Sequence, residues 1–74
     1  MIKLKVEAVR INAGFANQEE FLDEVNKQLK RAGNNKQLSV KTYQNRLKNP
    51  SLWRIDEGNA IAEVTGVPIE MIEF

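Results

Sequence analysis

The chain reads as an all-α protein of five short helices, and three observations predict it. Apolar residues recur three and four apart, most clearly at Phe21, Leu22, Val25 and Leu29, which gives one side of a helix a continuous stripe. Helix-start residues stand ahead of such runs. Asn17 has Glu20 three positions on, and Ser39 precedes VKTYQNRLK. Stop signals follow them: Gly14, Gly33, Gly66 and the Asn49-Pro50 pair. The 74 residues make one domain, 1–74. A chain of that size buries only ~60% of its unfolded surface, so its stability is modest.

Ile2, Leu4 and Val6 alternate and would allow a short strand, but Val6, Val9 and Ala13 have helical spacing. The first helix is therefore placed at Lys3–Ala13, closed by Gly14, with Phe15 turning back into the core. The second starts after Asn17 and runs to Arg31, with Asp23 and Lys27 as a favourable pair four apart. Gly33-Asn34-Asn35-Lys36-Gln37 is a polar, turn-prone connection.

The third helix, within Leu38–Lys48, is capped by Ser39. Leu38 and Tyr43 stand at the two positions of a hydrophobic staple. Tyr43 and Leu47 share one face, and Lys41, Gln44, Asn45 and Lys48 fall largely on the other. For the fourth helix Ser51 and Asp56 are both available as caps. Its core-facing residues are placed at Leu52, Ile55, Ile61, Ala62 and Val64, and Gly58 costs it ~1 kcal/mol relative to alanine. Pro68 opens a last short helix, Pro68–Phe74.

Composition narrows the function. With no cysteine there is no disulfide or thiolate metal site, and with no histidine the usual neutral-pH base and commonest metal ligand are missing. The two serines, Ser39 and Ser51, read as caps. Asp56 and Glu57 are adjacent, so on a helix they diverge by about 100° and make no acid–base pair. The chain is accordingly read as a non-enzyme with no cofactor, metal or small-molecule substrate. No apolar run approaches the ~20 residues of a membrane span and no signal peptide is visible, which together predict a cytoplasmic protein.

The net charge of +1 hides a segregation. Residues 17–26 carry Glu19, Glu20, Asp23 and Glu24 and no base. Residues 27–54 carry Lys27, Lys30, Arg31, Lys36, Lys41, Arg46, Lys48 and Arg54 and no acid. Residues 56–74 carry Asp56, Glu57, Glu63, Glu70 and Glu73 and again no base. A carboxylate-free block of that size predicts a footprint for a polyanion. Helix-dipole matching explains the acids early and the bases late in the second helix, but not Lys36 through Arg54.

Three stretches, in order, resemble the Cro/repressor-type (XRE-like) helix-turn-helix family of phage and bacterial regulators. VRINAGFANQEEF is similar to the end of that family's first helix and the start of its second. LSVKTYQNRL is similar to its recognition helix, and GVPIEMIEF to its closing segment. The resemblance implies a compact five-helix domain in which the connection between helices 2 and 3 is extended, because the interval from Gln18 to Thr42 is longer than the family's by roughly ten residues. The family's acidic residue near the end of the recognition helix is Leu47 here. Arg10, whose counterpart makes a buried ion pair in many relatives, then has Asp56 or Glu57 as its alternative partner.

Carried over by position, the resemblance gives Val40, Lys41, Gln44 and Asn45 as base-reading residues, with half-buried packing as the alternative for Val40. Gln18 would donate to a phosphate at the start of helix two, and Lys36, Arg46, Lys48 and Arg54 would hold the backbone. Lys36 is equally readable as a merely solvated lysine. The implied function is a phage-type transcriptional regulator of a lysogeny/lysis-like genetic switch, repressor or Cro-like, binding a double-stranded DNA operator as a homodimer. The alternative is an antirepressor, similar to phage modulator-of-repression proteins, that uses the same surface to bind a phage repressor. Tyr43, Arg46, Trp53 and Arg54 would be its anchors, with core packing as the other role for Trp53.

Overall fold

The computed structural model describes residues 3–74 and contains four α-helices and one small parallel strand pair. In chain order these are β1 (Leu4–Lys5), α1 (Val6–Asn12), α2 (Gln18–Arg31), α3 (Val40–Lys48), α4 (Ile55–Thr65) and β2 (Ile72–Glu73). Short 3-10 turns cover Pro50–Leu52 and Ile69–Met71. The mostly helical class is as the sequence predicts; the count of five helices is not.

Both differences lie at the ends of the chain, and they have one cause. Leu4 pairs with Ile72 and Lys5 with Glu73 in parallel register. The first helix therefore begins at Val6 rather than Lys3, and a 3-10 turn and a strand replace the last helix. Pro68–Phe74 is too short to hold a helix alone, and β-branched Ile72 is 2% exposed when extended beside Leu4. Ile2, part of the alternation that allowed a strand, lies outside the described residues.

α2 forms as its stripe requires. The Asn17 side chain accepts from Glu20 N at 2.9 Å, and Phe21, Leu22, Val25 and Leu29 are all buried. The Ser39 hydroxyl caps α3, accepting from Thr42 N at 3.1 Å, while Leu38 and Tyr43 are buried on either side of the cap. Gly66 closes α4 in the left-handed conformation, φ 74°, where a side chain would be strained.

α4 departs from the expected core face. Leu52 belongs to the preceding turn and is 49% exposed, and Ile55, the first helical residue, is 79% exposed. Trp53 takes the inward place instead. The inward row is Glu57, Ala60, Ile61 and Val64, at three- and four-residue spacing. Ser51 and Asp56 do not cap this helix. The carboxylate of Glu57 accepts from Arg54 N at 3.0 Å, three residues back, as half of a capping box. A Cβ on Gly58 would sit 3.3 Å from both Ile69 and Phe74, so glycine lets the closing segment lie against α4.

All five aromatic residues of the chain join one edge-to-face run: Phe15–Phe21–Tyr43–Trp53–Phe74, with centroids 5.3, 5.9, 6.0 and 5.6 Å apart. The run crosses from the α1–α2 turn through α2 and α3 to the end of β2. Each such pair adds about 0.5–1.5 kcal/mol beyond its buried area.

Residues 32–39 connect the 14-residue α2 to α3. Asn26 anchors it. Its amide donates to Leu38 O at 3.0 Å and accepts from Leu38 N at 2.8 Å, pairing with that backbone as a neighbouring strand would. Asn26→Ala leaves both groups without partners. It is expected to lower the unfolding free energy by about 2 kcal/mol, against about 1 kcal/mol for Ser39→Ala, read from urea denaturation followed by circular dichroism.

Candidate nucleic-acid interface

α3 separates its two sides sharply. Tyr43 is fully buried, and Val40 and Leu47 are half-buried against the core. Lys41, Gln44, Asn45 and Lys48 are exposed and lie together on the opposite side. Val40 therefore packs, and the outward donors are those of the other three expected base readers and Lys48. Among the described residues no carboxylate makes an ion pair with Lys41 or Lys48.

The buried side of α3 is fixed to the rest of the fold by Glu7. Its carboxylate accepts from Arg10 Nε at 2.9 Å, from Tyr43 Oη at 2.6 Å and from Gln18 Nε2 at 3.0 Å. Burial alone would raise its pKa. The bonds from Arg10, Tyr43 and Gln18 together outweigh that and hold the carboxyl below its ordinary range. Burial, reinforced by the bond to Glu7, pushes the Tyr43 phenol well above its ordinary value. Arg10 also donates from Nη1 to Phe15 O at 2.7 Å, stitching the α1–α2 turn. Its partner is thus Glu7, not Asp56 or Glu57.

Glu57 instead holds Arg46. The guanidinium Nε lies 2.8 Å from Oε1, Nη2 donates to Oε2 at 3.1 Å, and Nη1 donates to Leu52 O at 2.9 Å. The Nε–H is not aligned on the carboxylate, so Nη2 makes the directed bond. Arg46, expected on a phosphate or a partner, is spent joining α3 to the start of α4. Breaking such a largely buried pair removes about 3 kcal/mol or more, since a stranded charge remains.

Gln18, also expected on a phosphate, is engaged on both sides. Nε2 donates to Glu7, and Oε1 accepts from Gln44 Nε2 at 3.1 Å. Glu19 and Glu20 already occupy the positive end of α2. Lys36 and Arg54 are exposed but share a groove between the α2–α3 connection and α4 that Asp56 and Glu63 also line. The cationic block is therefore not one continuous belt: Arg46 is neutralised by Glu57, and Lys27 faces Glu24 at 3.6 Å. Among the alternative protein anchors Tyr43 is buried, Trp53 is half-buried and Arg54 is exposed.

The sequence reading missed Glu7, Asn26 and the role of Glu57. Glu57 had a legible cue, a carboxylate on the inward row of α4, which demands a cation. Glu7 and Arg10 are three apart on α1, but nothing local connects them to Tyr43. No helix of the described residues is long and apolar enough to cross a membrane, and no group of three or more metal-ligating side chains gathers among them. No protein-family model matches the chain, and no match was found among the curated proteins or the solved structures.

Tyr43 is the only tyrosine. Its folded pKa is raised, so stability is intact below about pH 10 and falls as pH rises past the unfolded phenol's pKa. Tyrosinate absorbance is expected to appear only together with loss of helical circular dichroism. Glu7 has the opposite sign: its lowered pKa contributes stability above about pH 4.3, lost as pH falls through the folded value. Glu7→Gln is expected to be less stable at neutral pH and to lose less on acidification than the parent, measured by thermal melts across pH 7 to about pH 3.

Proposed function

We propose that the chain is a DNA-binding transcriptional regulator of the helix-turn-helix type, with α2 and α3 as the paired helices and α3 as the recognition helix. One observation carries it: α3 is anchored through Tyr43 and Leu47, while Lys41, Gln44, Asn45 and Lys48 form an exposed row of donors, and among the described residues no carboxylate makes an ion pair with either lysine. A helix of that kind fits the major groove, where amide and ammonium groups meet base edges. Lys41, Gln44 and Asn45 read bases, while Lys48, Lys36 and Arg54 hold phosphates. Arg46 supports the helix from behind. Two copies on a two-fold operator would set their recognition helices about one DNA turn apart, as a regulator of a phage-type lysis–lysogeny switch requires.

A second reading is an antirepressor that binds a repressor protein rather than DNA. It is favoured by Leu52 and Ile55, 49% and 79% exposed in the segment that follows α3, which offer apolar surface to a protein partner.

Titration of labelled mixed-sequence duplex at low salt separates the two. The DNA reading expects micromolar or tighter binding whose logarithm falls with log salt at a slope of about −0.9 per phosphate held. Lys41→Ala with Asn45→Ala is expected to leave the circular dichroism spectrum unchanged and to cost ~1–3 kcal/mol of operator discrimination for each base no longer read. Absence of binding at low salt overturns the DNA reading in favour of the second, which calorimetry against the cognate repressor then tests.

A further inference from the structure

We propose that the pocket between the β1–β2 clasp and the C-terminal end of α3 binds a small aromatic zwitterion, with the ring, ammonium and carboxylate of a free aromatic amino acid. The proposal goes beyond the DNA-binding reading and does not depend on it.

The pocket has a volume of about 500 Å³, within the ~300–1,000 Å³ range of small-molecule sites. Its apolar walls include Val6 at the start of α1, Leu47 from the inward side of α3, and the rings of Trp53 and Phe74. Those two rings stand edge to face, 5.6 Å apart, at one end of the aromatic run. Phe21 and Tyr43, inside the run, are fully buried, whereas Trp53 and Phe74 are half-buried and line the pocket. A flat ring entering there meets both and continues the same packing. None of Lys41, Gln44, Asn45 and Lys48 lines the pocket, so occupancy leaves the outward row of α3 free.

Three charged side chains also line it, and they differ in what they have left to offer. Glu7 is already engaged. Each of its oxygens accepts two hydrogen bonds: Oε2 from Arg10 Nε and Tyr43 Oη, Oε1 from Arg10 Nη2 and Gln18 Nε2. A carboxylate has about four such places. Lys5 and Glu73 are exposed, and among the described residues neither makes an ion pair. They are partners in the parallel register, so they are rooted on adjacent strands ~4.8 Å apart and leave the ladder on the same side. A cation and an anion held that close, both unpaired, match a molecule whose own two charges are one carbon apart. Its carboxylate meets the Lys5 ammonium, and its ammonium meets the Glu73 carboxylate. A ligand with a single charge leaves the other rim group unanswered. Direct closure of Lys5 on Glu73 competes weakly, because an exposed pair of that kind contributes little.

Trp53 is the only tryptophan, so its fluorescence reports on this pocket. The test titrates the DNA-free protein at neutral pH with L-phenylalanine, phenethylamine, 3-phenylpropionate and L-alanine, with saturation-transfer NMR on the ligands as a second readout. L-Phenylalanine is expected to give a saturable response with a Kd on the order of 1 mM or tighter. The other three, each lacking one charge or the ring, are expected to bind at least roughly 5-fold more weakly. Lys5→Met and Glu73→Gln, verified as folded by circular dichroism, are each expected to weaken L-phenylalanine by a similar factor. Lys5→Met should leave phenethylamine unaffected, and Glu73→Gln should leave 3-phenylpropionate unaffected. No saturable response to L-phenylalanine in either readout overturns the proposal. Equal binding of phenethylamine or 3-phenylpropionate also overturns it, since the pocket is then an apolar cleft without charge recognition. L-Phenylalanine binding that neither substitution weakens does the same. None of these outcomes touches the DNA-binding reading, because all are measured without DNA.

Discussion

The bond from the Tyr43 phenol to the Glu7 carboxylate, 2.6 Å long, is the constraint on which the rest of this fold depends. The ring of Tyr43 stands in the middle of the aromatic run, against Phe21 on one side and Trp53 on the other. Its hydroxyl reaches the polar junction of α1, α2 and α3. A buried hydroxyl without a partner would cost a few kcal/mol. Glu7 supplies the partner, and Arg10 and Gln18 complete the carboxylate's own needs. The apolar core and the outward face of α3 are thereby held by the same residue, so the angle at which α3 presents its donors is set by packing and hydrogen bonding together.

A second junction holds α3 nearer its C-terminal end. Arg46 and Glu57 join it to α4 and to the backbone at Leu52. α3 is thus held to its neighbours at two points, Tyr43 and Arg46, with Gln44 and Asn45 exposed between them. This also answers why the basic stretch is not uniform. Some of its cations are consumed internally to build the platform, and the remainder are left in solvent.

Sequence legibility follows the range of the interaction. The Asn17 and Ser39 caps, the Leu38–Tyr43 staple positions and the stripe of α2 are all local, set by residues within a turn or two, and the structure has them where the sequence puts them. The outward placement of Lys41, Gln44 and Asn45 follows from the same periodicity. What escapes is non-local. The strand pairing of Leu4 with Ile72, the bond between Glu7 and Tyr43, and the clamp of Asn26 on Leu38 join residues that no helical repeat connects. Leu52 and Ile55 stand outward for a related reason. Their hydrophobicity alone predicts burial, but Leu52 falls in the 3-10 turn before α4, and the start of that helix at Ile55 turns Ile55 toward solvent.

The parallel pairing of Leu4–Lys5 with Ile72–Glu73 closes nearly the whole chain into a ring of secondary structure. Drawing two such distant segments together carries a large loop entropy, so this clasp is favourable only after the helices have shortened the path between them. Mechanically it has a further consequence. Because the two strands run the same way, a pull on opposite ends of the polypeptide slides one past the other, and the ladder resists in shear with its bonds loaded at once instead of peeling one by one.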